Sequence, residues 1–107
     1  MEFIKCSAVW YKDLPLQKPE VLERRGYRPY NVNKGIVFCG WRHSNCIYQM
    51  AALTGLSDHQ AGHGEQGFLT NQNRFVDRIE GAKIALKCGQ ITKLEYSKDT
   101  LYSEDLY

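Results

Sequence analysis

Gly35-Ile36-Val37-Phe38-Cys39-Gly40-Trp41 is an apolar run that gives way at Arg42-His43 to a helical pattern beginning at Ser44. An almost wholly apolar run is typical of a central strand, so we predict a strand over 36–41 that leads directly into a helix. The first free amides of a helix point at one spot, and here a guanidinium and an imidazole flank that spot. The junction therefore predicts an anion site made by Arg42, His43 and the amides after Ser44.

Further strands are predicted on both sides of this junction. Residues 3–11 are rich in Phe, Ile, Val, Trp and Tyr, the residue types that strands favour. The short runs 67–70 and 74–76 are joined by Asn71-Gln72-Asn73, and Asn tolerates the positive φ that a hairpin turn requires. A last apolar patch over 91–96 is predicted to return as an edge strand.

Two main helices are predicted from their apolar spacing and their end signals. The first has apolar residues at three- and four-residue intervals, with Ser44 or Asn45 as its cap and Gly55 as its stop. The second begins at Asp77-x-x-Glu80, which resembles a capping box, and ends before Gly89. Both helices carry one apolar stripe, so both need a surface to cover.

The remaining segments complete the predicted fold. Pro19 predicts a short helix up to residue 25, closed by Gly26, and a turn-rich segment follows over 27–35. We predict one domain over residues 1–107 with an α+β fold, a small, mostly antiparallel sheet with two main helices packed on one face. A parallel pairing between the first strand and the 36–41 strand stays open.

Composition excludes several classes of function. Fourteen Lys and Arg against 12 Asp and Glu give a net charge of +2 with the signs interspersed, too weak a balance for DNA binding. The apolar runs are far shorter than a membrane span, and the first residues lack a secretory pattern, so we expect a cytoplasmic protein. Known catalytic signatures such as a nucleophile elbow or a P-loop are missing, which predicts a protein that is not an enzyme and has no cofactor.

No metal site is predicted. The four cysteines form no C-x-x-C pair, and we expect reduced, buried thiols: Cys6, Cys39, Cys46 and Cys88. His59-x-x-x-His63 has a possible ligand spacing. These two histidines lie in a polar, Gly-rich stretch, however, so solvated surface histidines are the preferred interpretation.

A family likeness runs through nearly the whole chain. The residues that carry it are, in order, Cys6 and Ala8, Gly35-x-Val37-x-Cys39-Gly40-x-Arg42-His43-x-Asn45-Cys46, Gln66-Gly67-Phe68-Leu69-Thr70, Arg74-Phe75-Val76-Asp77-Arg78-x-Glu80, Ala85, Gly89-Gln90-Ile91 and Leu101-x-Ser103-Glu104-Asp105-Leu106-Tyr107. Together they resemble a small protein type common in bacteriophages and prophages. Gly81 stands where that type usually has Ala. In size and in its mix of Arg and aromatic residues the chain also looks like the sponges that hold the cyclic ADP-ribose signals of the Thoeris defence system.

The second resemblance implies a counter-defence protein that binds a nucleotide-type signal in the host cytoplasm without cleaving it. Such a protein needs cationic side chains that bind phosphate, an aromatic ring that stacks on a base, and side-chain amides that form hydrogen bonds with a base or ribose. The residues that offer these groups are Arg42, His43, Arg74 and Arg78, then Phe68 and Trp10, then Gln66 and Asn73, with Ser103 in the terminal segment. We expect a homo-oligomer whose site lies near a subunit interface, with residues 103–107 as the element that crosses it.

Two other interpretations stay open. In one, the chain is a small phosphodiesterase or nucleotide hydrolase in which His43 acts as general acid or base beside Arg42. In the other, it is a protein-binding inhibitor or phage factor with no small ligand, and the same polar residues form an internal network. From spacing alone, a partly buried His43 bonded to a carbonyl is favoured over a ligand contact.

Overall fold

The computed structural model describes residues 1–24 and 28–107. The elements in chain order are β1 (Ile4–Tyr11), α1 (Pro19–Glu23), β2 (Ile36–Gly40), α2 (His43–Thr54), β3 (Glu65–Thr70), β4 (Phe75–Asp77), α3 (Arg78–Lys87) and α4 (Ser103–Leu106). The strands form one sheet in the order β2-β1-β3-β4, and each of these pairings is antiparallel. The predicted α+β fold is confirmed, and β1 pairs with β2 in the antiparallel direction.

Both main helices pack on the same face of the sheet. Val9 of β1 lies opposite Phe38 of β2, and the two are covered by α2. Phe68 of β3 lies opposite Val76 of β4, and these two are covered by α3. Ser7, two residues before Val9, is the partner of Phe68, so alternation along β1 places all these side chains on one side.

The pairing of β1 with β3 has a register irregularity near the start of β1. Ile4 pairs with Thr70 and Cys6 pairs with Leu69, so β1 carries one extra residue at this point. The extra residue puts Ile4 and Ser7 on the helix face although they are three positions apart. Fully buried Ser7 then donates a hydrogen bond from its hydroxyl to the Trp41 carbonyl at 3.1 Å, which ties the end of β2 to the middle of the sheet.

The segment after α3 does not form the predicted edge strand. Gln90 instead accepts a hydrogen bond from the Ile4 amide and donates one to the Ile4 carbonyl, both at 2.8 Å. One side-chain amide thus supplies the backbone partners that an added strand would have supplied at this end of β1. Ile91 and Leu94 pack against the α3 cluster, and the Leu101 amide donates to the Arg78 carbonyl at 3.0 Å, which returns the chain to the start of α3.

The predicted short helix is confirmed in part. α1 spans Pro19–Glu23, with the proline at its beginning as expected. Its predicted close at Arg25 and Gly26 lies outside the described residues. In the described ranges, no helix has the length and the apolar content to cross a membrane.

Candidate functional site

The β2–α2 junction places the first two candidate residues. α2 begins at His43 with Arg42 as its N-cap residue, one position before the start that the pattern predicted. Asn45 does act at this end of the helix, but from its third position: its Oδ1 accepts a hydrogen bond from the Arg42 amide at 2.8 Å. The N-cap is therefore Arg42, and the prediction of Ser44 or Asn45 is wrong. The contact from Asn45 holds the Arg42 backbone in the extended conformation from which the helix starts.

His43 is a neutral, buried ring whose two nitrogens both have protein partners. Its Nε2 lies 2.8 Å from the Gly67 carbonyl oxygen, which can only accept, so Nε2 carries the proton. Its Nδ1 then accepts from the Nη2 of Arg78 at 3.4 Å. Burial lowers the pKa of His43 below its ordinary value, and the nearby Arg78 charge lowers it further. His43 therefore positions Arg78.

Arg78, the first residue of α3, is held on two sides. Its Nη2 donates to Gln66 Oε1 at 2.5 Å, and its guanidinium carbon lies 4.7 Å from the centre of the Tyr102 ring. Its Nε is buried and has no hydrogen-bond partner among the described residues. One amide and one imidazole therefore fix the guanidinium, and an external acceptor can reach its unpartnered Nε only if the groups that bury this atom move.

Arg42 lies beside two stacked aromatic rings and contacts the C-terminal turn. Its guanidinium carbon is 4.5 Å from the Trp41 ring centre and 5.4 Å from that of Tyr107. Nη1 donates to Ser103 Oγ at 3.2 Å, and Nη2 donates to the main-chain oxygen of Tyr107. The Glu104 carboxylate is 3.8 Å away. Arg42 therefore fixes the turn α4 on the start of α2.

These contacts define one group of residues, which we call the arginine cluster: Arg42, His43, Gln66, Arg78, Tyr102 and Ser103. The starts of α2 and α3 meet here, because His43 and Arg78 are the first residues of those helices. Glu104 lies near Arg42 only, and Arg78 forms no salt bridge among the described residues, while His43 is neutral. The cluster therefore brings two guanidinium charges to the two helix starts, beneath α4.

Two predicted stacking residues lie elsewhere. The Phe68 ring touches the edge of the His43 ring at 5.1 Å between centres, but it is fully buried and offers no face to a ligand. Trp10 packs edge-on against Phe75, on the opposite face of the sheet, and donates from its indole nitrogen to the Lys34 carbonyl. Alternation along β1 separates it from the arginine cluster.

Two predicted polar residues also lie apart from the cluster. Asn73 occupies the hairpin turn with a positive φ of 56°, and its side chain donates to the Arg28 carbonyl at 3.2 Å. Arg74 grips the Glu2 carboxylate with two hydrogen bonds, at 3.0 and 2.8 Å, and lies 3.5 Å from Glu80. Two carboxylates neutralise this guanidinium, whereas Arg78 forms no salt bridge within residues 1–24 and 28–107.

Sequence reasoning did not select the aromatic residues that line the cluster. The apolar pattern predicts Trp41 as the last residue of the strand over 36–41, yet 62% of its surface is exposed, and it stacks beside Tyr107 with ring centres 6.5 Å apart. Tyr102 covers Arg78. The only local signal for Trp41 was its position next to Arg42 after a strand had ended.

The cysteines are less buried than predicted. Each is a free thiol, but only Cys46 is buried, while Cys6, Cys39 and Cys88 are half-buried. Within residues 1–24 and 28–107, no three His, Cys, Asp or Glu side chains are grouped so that they could hold a metal ion.

Comparison with known proteins identifies a family. The family model described as phage T4 y16D protein matches residues 4–107, which is nearly the entire chain and includes every member of the arginine cluster. No curated protein and no solved structure matches the chain. The chain belongs to the phage T4 y16D protein family.

Proposed function

We propose that this protein binds and sequesters a nucleotide-type host signal of the cyclic ADP-ribose class and does not cleave it. The observation that carries the proposal is that Arg42 and Arg78 lie where the starts of α2 and α3 meet. The side-chain amide of Gln66, in β3, binds Arg78 at the same place. Such a group binds phosphate oxygens by charge and by directed hydrogen bonds. Membership of a phage family supports a role against a host defence signal in the host cytoplasm.

The phosphate grip is assigned to two of the three arginines first considered. The buried Nε of Arg78 has no partner in the described structure, and Arg42 is held by the Ser103 hydroxyl, the Tyr107 main-chain oxygen and the Glu104 carboxylate at 3.8 Å. Arg74 is excluded from the grip because Glu2 and Glu80 already surround it. We assign stacking on the base of the ligand to the exposed ring of Trp41, because Phe68 is buried and Trp10 lies on the opposite face of the sheet.

The state of His43 supports binding over catalysis. A general acid or base needs a ring nitrogen that can reach a substrate proton. Both nitrogens of His43 have partners inside the protein, Gly67 and Arg78, and burial lowers its pKa. The hydrolase interpretation therefore loses the residue on which it depended.

The turn α4 acts as a cover over the proposed site. Tyr102 lies over Arg78, while Ser103, Glu104 and Tyr107 contact Arg42. A phosphate that reaches Arg42 must replace the Glu104 carboxylate there. We propose that the assembled protein is a homo-oligomer in which this turn and the exposed Trp41 lie near a subunit interface.

Titration calorimetry against cyclic ADP-ribose isomers, with cyclic oligonucleotides in parallel, tests the proposal. We expect saturable heat with a cyclic ADP-ribose isomer and recovery of that ligand unchanged after the complex is denatured by heat. Absence of heat with every compound contradicts binding. Recovery of a hydrolysed product contradicts sequestration and restores the enzyme interpretation.

Glu104→Gln is expected to raise the affinity for the same ligand. The change removes the charge that competes for Arg42 and keeps an oxygen that can accept from Ser103. Because Glu104 is half exposed, the gain is about two- to fivefold. The matched control is Glu95→Gln, a carboxylate paired with Lys93 outside the cluster, which leaves affinity unchanged. Equal affinity for Glu104→Gln and the wild type contradicts the proposal that α4 covers the site and that Glu104 competes with the ligand for Arg42.

A further inference from the structure

A pair of histidines in the loop between α2 and β3 is built more tightly than a solvated surface segment requires. The His59 Nδ1 and the His63 Nε2 lie 2.8 Å apart. The ring centres are 4.8 Å apart and the planes cross at 69°. The two ring nitrogens therefore face each other in a direct hydrogen bond at the surface of the molecule.

Asp58 fixes the ring of His63 from its other side. One carboxylate oxygen lies 3.4 Å from the His63 Nδ1. The other accepts hydrogen bonds from the Tyr11 hydroxyl at 2.6 Å and from the Gly64 amide at 3.2 Å. Tyr11 is only 1% exposed, so the carboxylate is anchored to the sheet. It holds the proton of His63 on Nδ1 and leaves the lone pair on Nε2 free for an acceptor role.

The backbone of the loop is bent to make the pair. Gly62 and His63 have φ values of +90° and +58°, a conformation that a residue with a side chain seldom adopts. The His63 amide donates to the Asp58 carbonyl at 2.8 Å, which closes the loop on itself. Buried Ala61 anchors the same loop to the α2 cluster. These contacts hold the two rings together against the cost of the positive φ at His63.

We infer that His59 and His63 form a binding site for a borderline divalent transition-metal ion. Two imidazole nitrogens bound to one such ion at right angles are about 2.9 Å apart, given metal–nitrogen bonds of about 2.0–2.1 Å. The nitrogens of His59 and His63 already have this separation. Asp58 supplies the outer carboxylate that orients a metal-bound histidine.

Proton balance is simple at this site. In the metal-free pair, His59 donates its Nδ1 proton to the Nε2 of His63. When the ion binds, that proton leaves Nδ1 to solvent and Nε2 of His59 takes one up, so both rings stay neutral. Both lone pairs then face the ion. Two nitrogen ligands at right angles select Ni²⁺ or Cu²⁺ over Mg²⁺ and Ca²⁺, which prefer oxygen, and water fills the remaining positions.

The test is calorimetric titration of the chain, without a histidine tag, with Ni²⁺. The informative variants are His63→Asn and His59→Asn, because Asn tolerates the positive φ at 63 and removes only the ring. We expect one Ni²⁺ per chain in the wild type and at least tenfold weaker binding in each variant. Asp58→Asn is expected to weaken binding by about tenfold through the orienting contact.

Two controls make the test specific. Gln60→Ala changes a residue in the same loop whose side chain accepts from Ser57 and is not a ligand, so it leaves Ni²⁺ binding unchanged. Cys88→Ser removes a half-buried thiol and also leaves binding unchanged. Absence of saturable Ni²⁺ binding in the wild type overturns the inference, and so does binding in both histidine variants within twofold of the wild type.

Discussion

Arg78→Ala is expected to weaken binding of the cyclic ADP-ribose ligand by about 10- to 100-fold, the range for losing hydrogen bonds to a charged group. Arg78 is the arginine that His43 and Gln66 hold through Nη2, and its Nε has no partner among the described residues. Calorimetry measures the affinity, and a thermal melt of the same sample shows that the variant is folded. Arg78→Lys keeps the charge but loses the planar fork, so we expect it to recover only part of the affinity.

Arg74→Ala is the matched control for Arg78. Arg74 lies four positions earlier and its guanidinium is bound by Glu2 and Glu80. Its removal is expected to lower stability modestly and to leave affinity unchanged. Wild-type affinity in Arg78→Ala, or equal losses in both variants, contradicts the assignment of the phosphate grip.

Gly67→Ala is expected to destabilise the protein by at least about 3 kcal/mol, at the upper end for forced overpacking. A Cβ at this position meets the Val76 carbonyl oxygen at 2.1 Å and the Phe75 ring at 2.8 Å. The oxygen belongs to the neighbouring strand backbone, so β3 and β4 must separate. The Gly67 carbonyl also accepts from His43, and the same shift therefore disturbs the arginine cluster. Urea unfolding measures the change.

Gly81→Ala provides the same chemical change at a tolerant position. A Cβ there lies 3.0 Å from the edge of the Phe68 ring and 3.5 Å from Leu101. Alanine favours the helix by about 1 kcal/mol over glycine, which offsets the tight contact, so we expect a net change within about 1 kcal/mol. A Gly67→Ala variant that unfolds at the wild-type urea concentration contradicts the steric argument.

Local patterns were enough to place the strands and the main helices. The apolar run before Arg42, the Asn-containing turn after residue 70 and the Asp77 cap each depend on neighbours in the chain. The 91–96 patch has an equally strand-like composition, yet it forms no strand. Gln90 bonds to the backbone of Ile4, 86 residues away, and that partner is invisible in a local window.

The candidate site likewise combines features that follow from the local sequence with features that depend on distant residues. The sequence alone determined that Arg42 and His43 follow a strand and begin a helix, because apolar periodicity and turn signals are local properties. Only the tertiary structure decided that Arg78 joins them while Arg74 pairs with Glu2, and that α4 covers the result. An arginine binds whichever acceptor the folded chain brings within about 3 Å, and residues far apart in the sequence supply those acceptors.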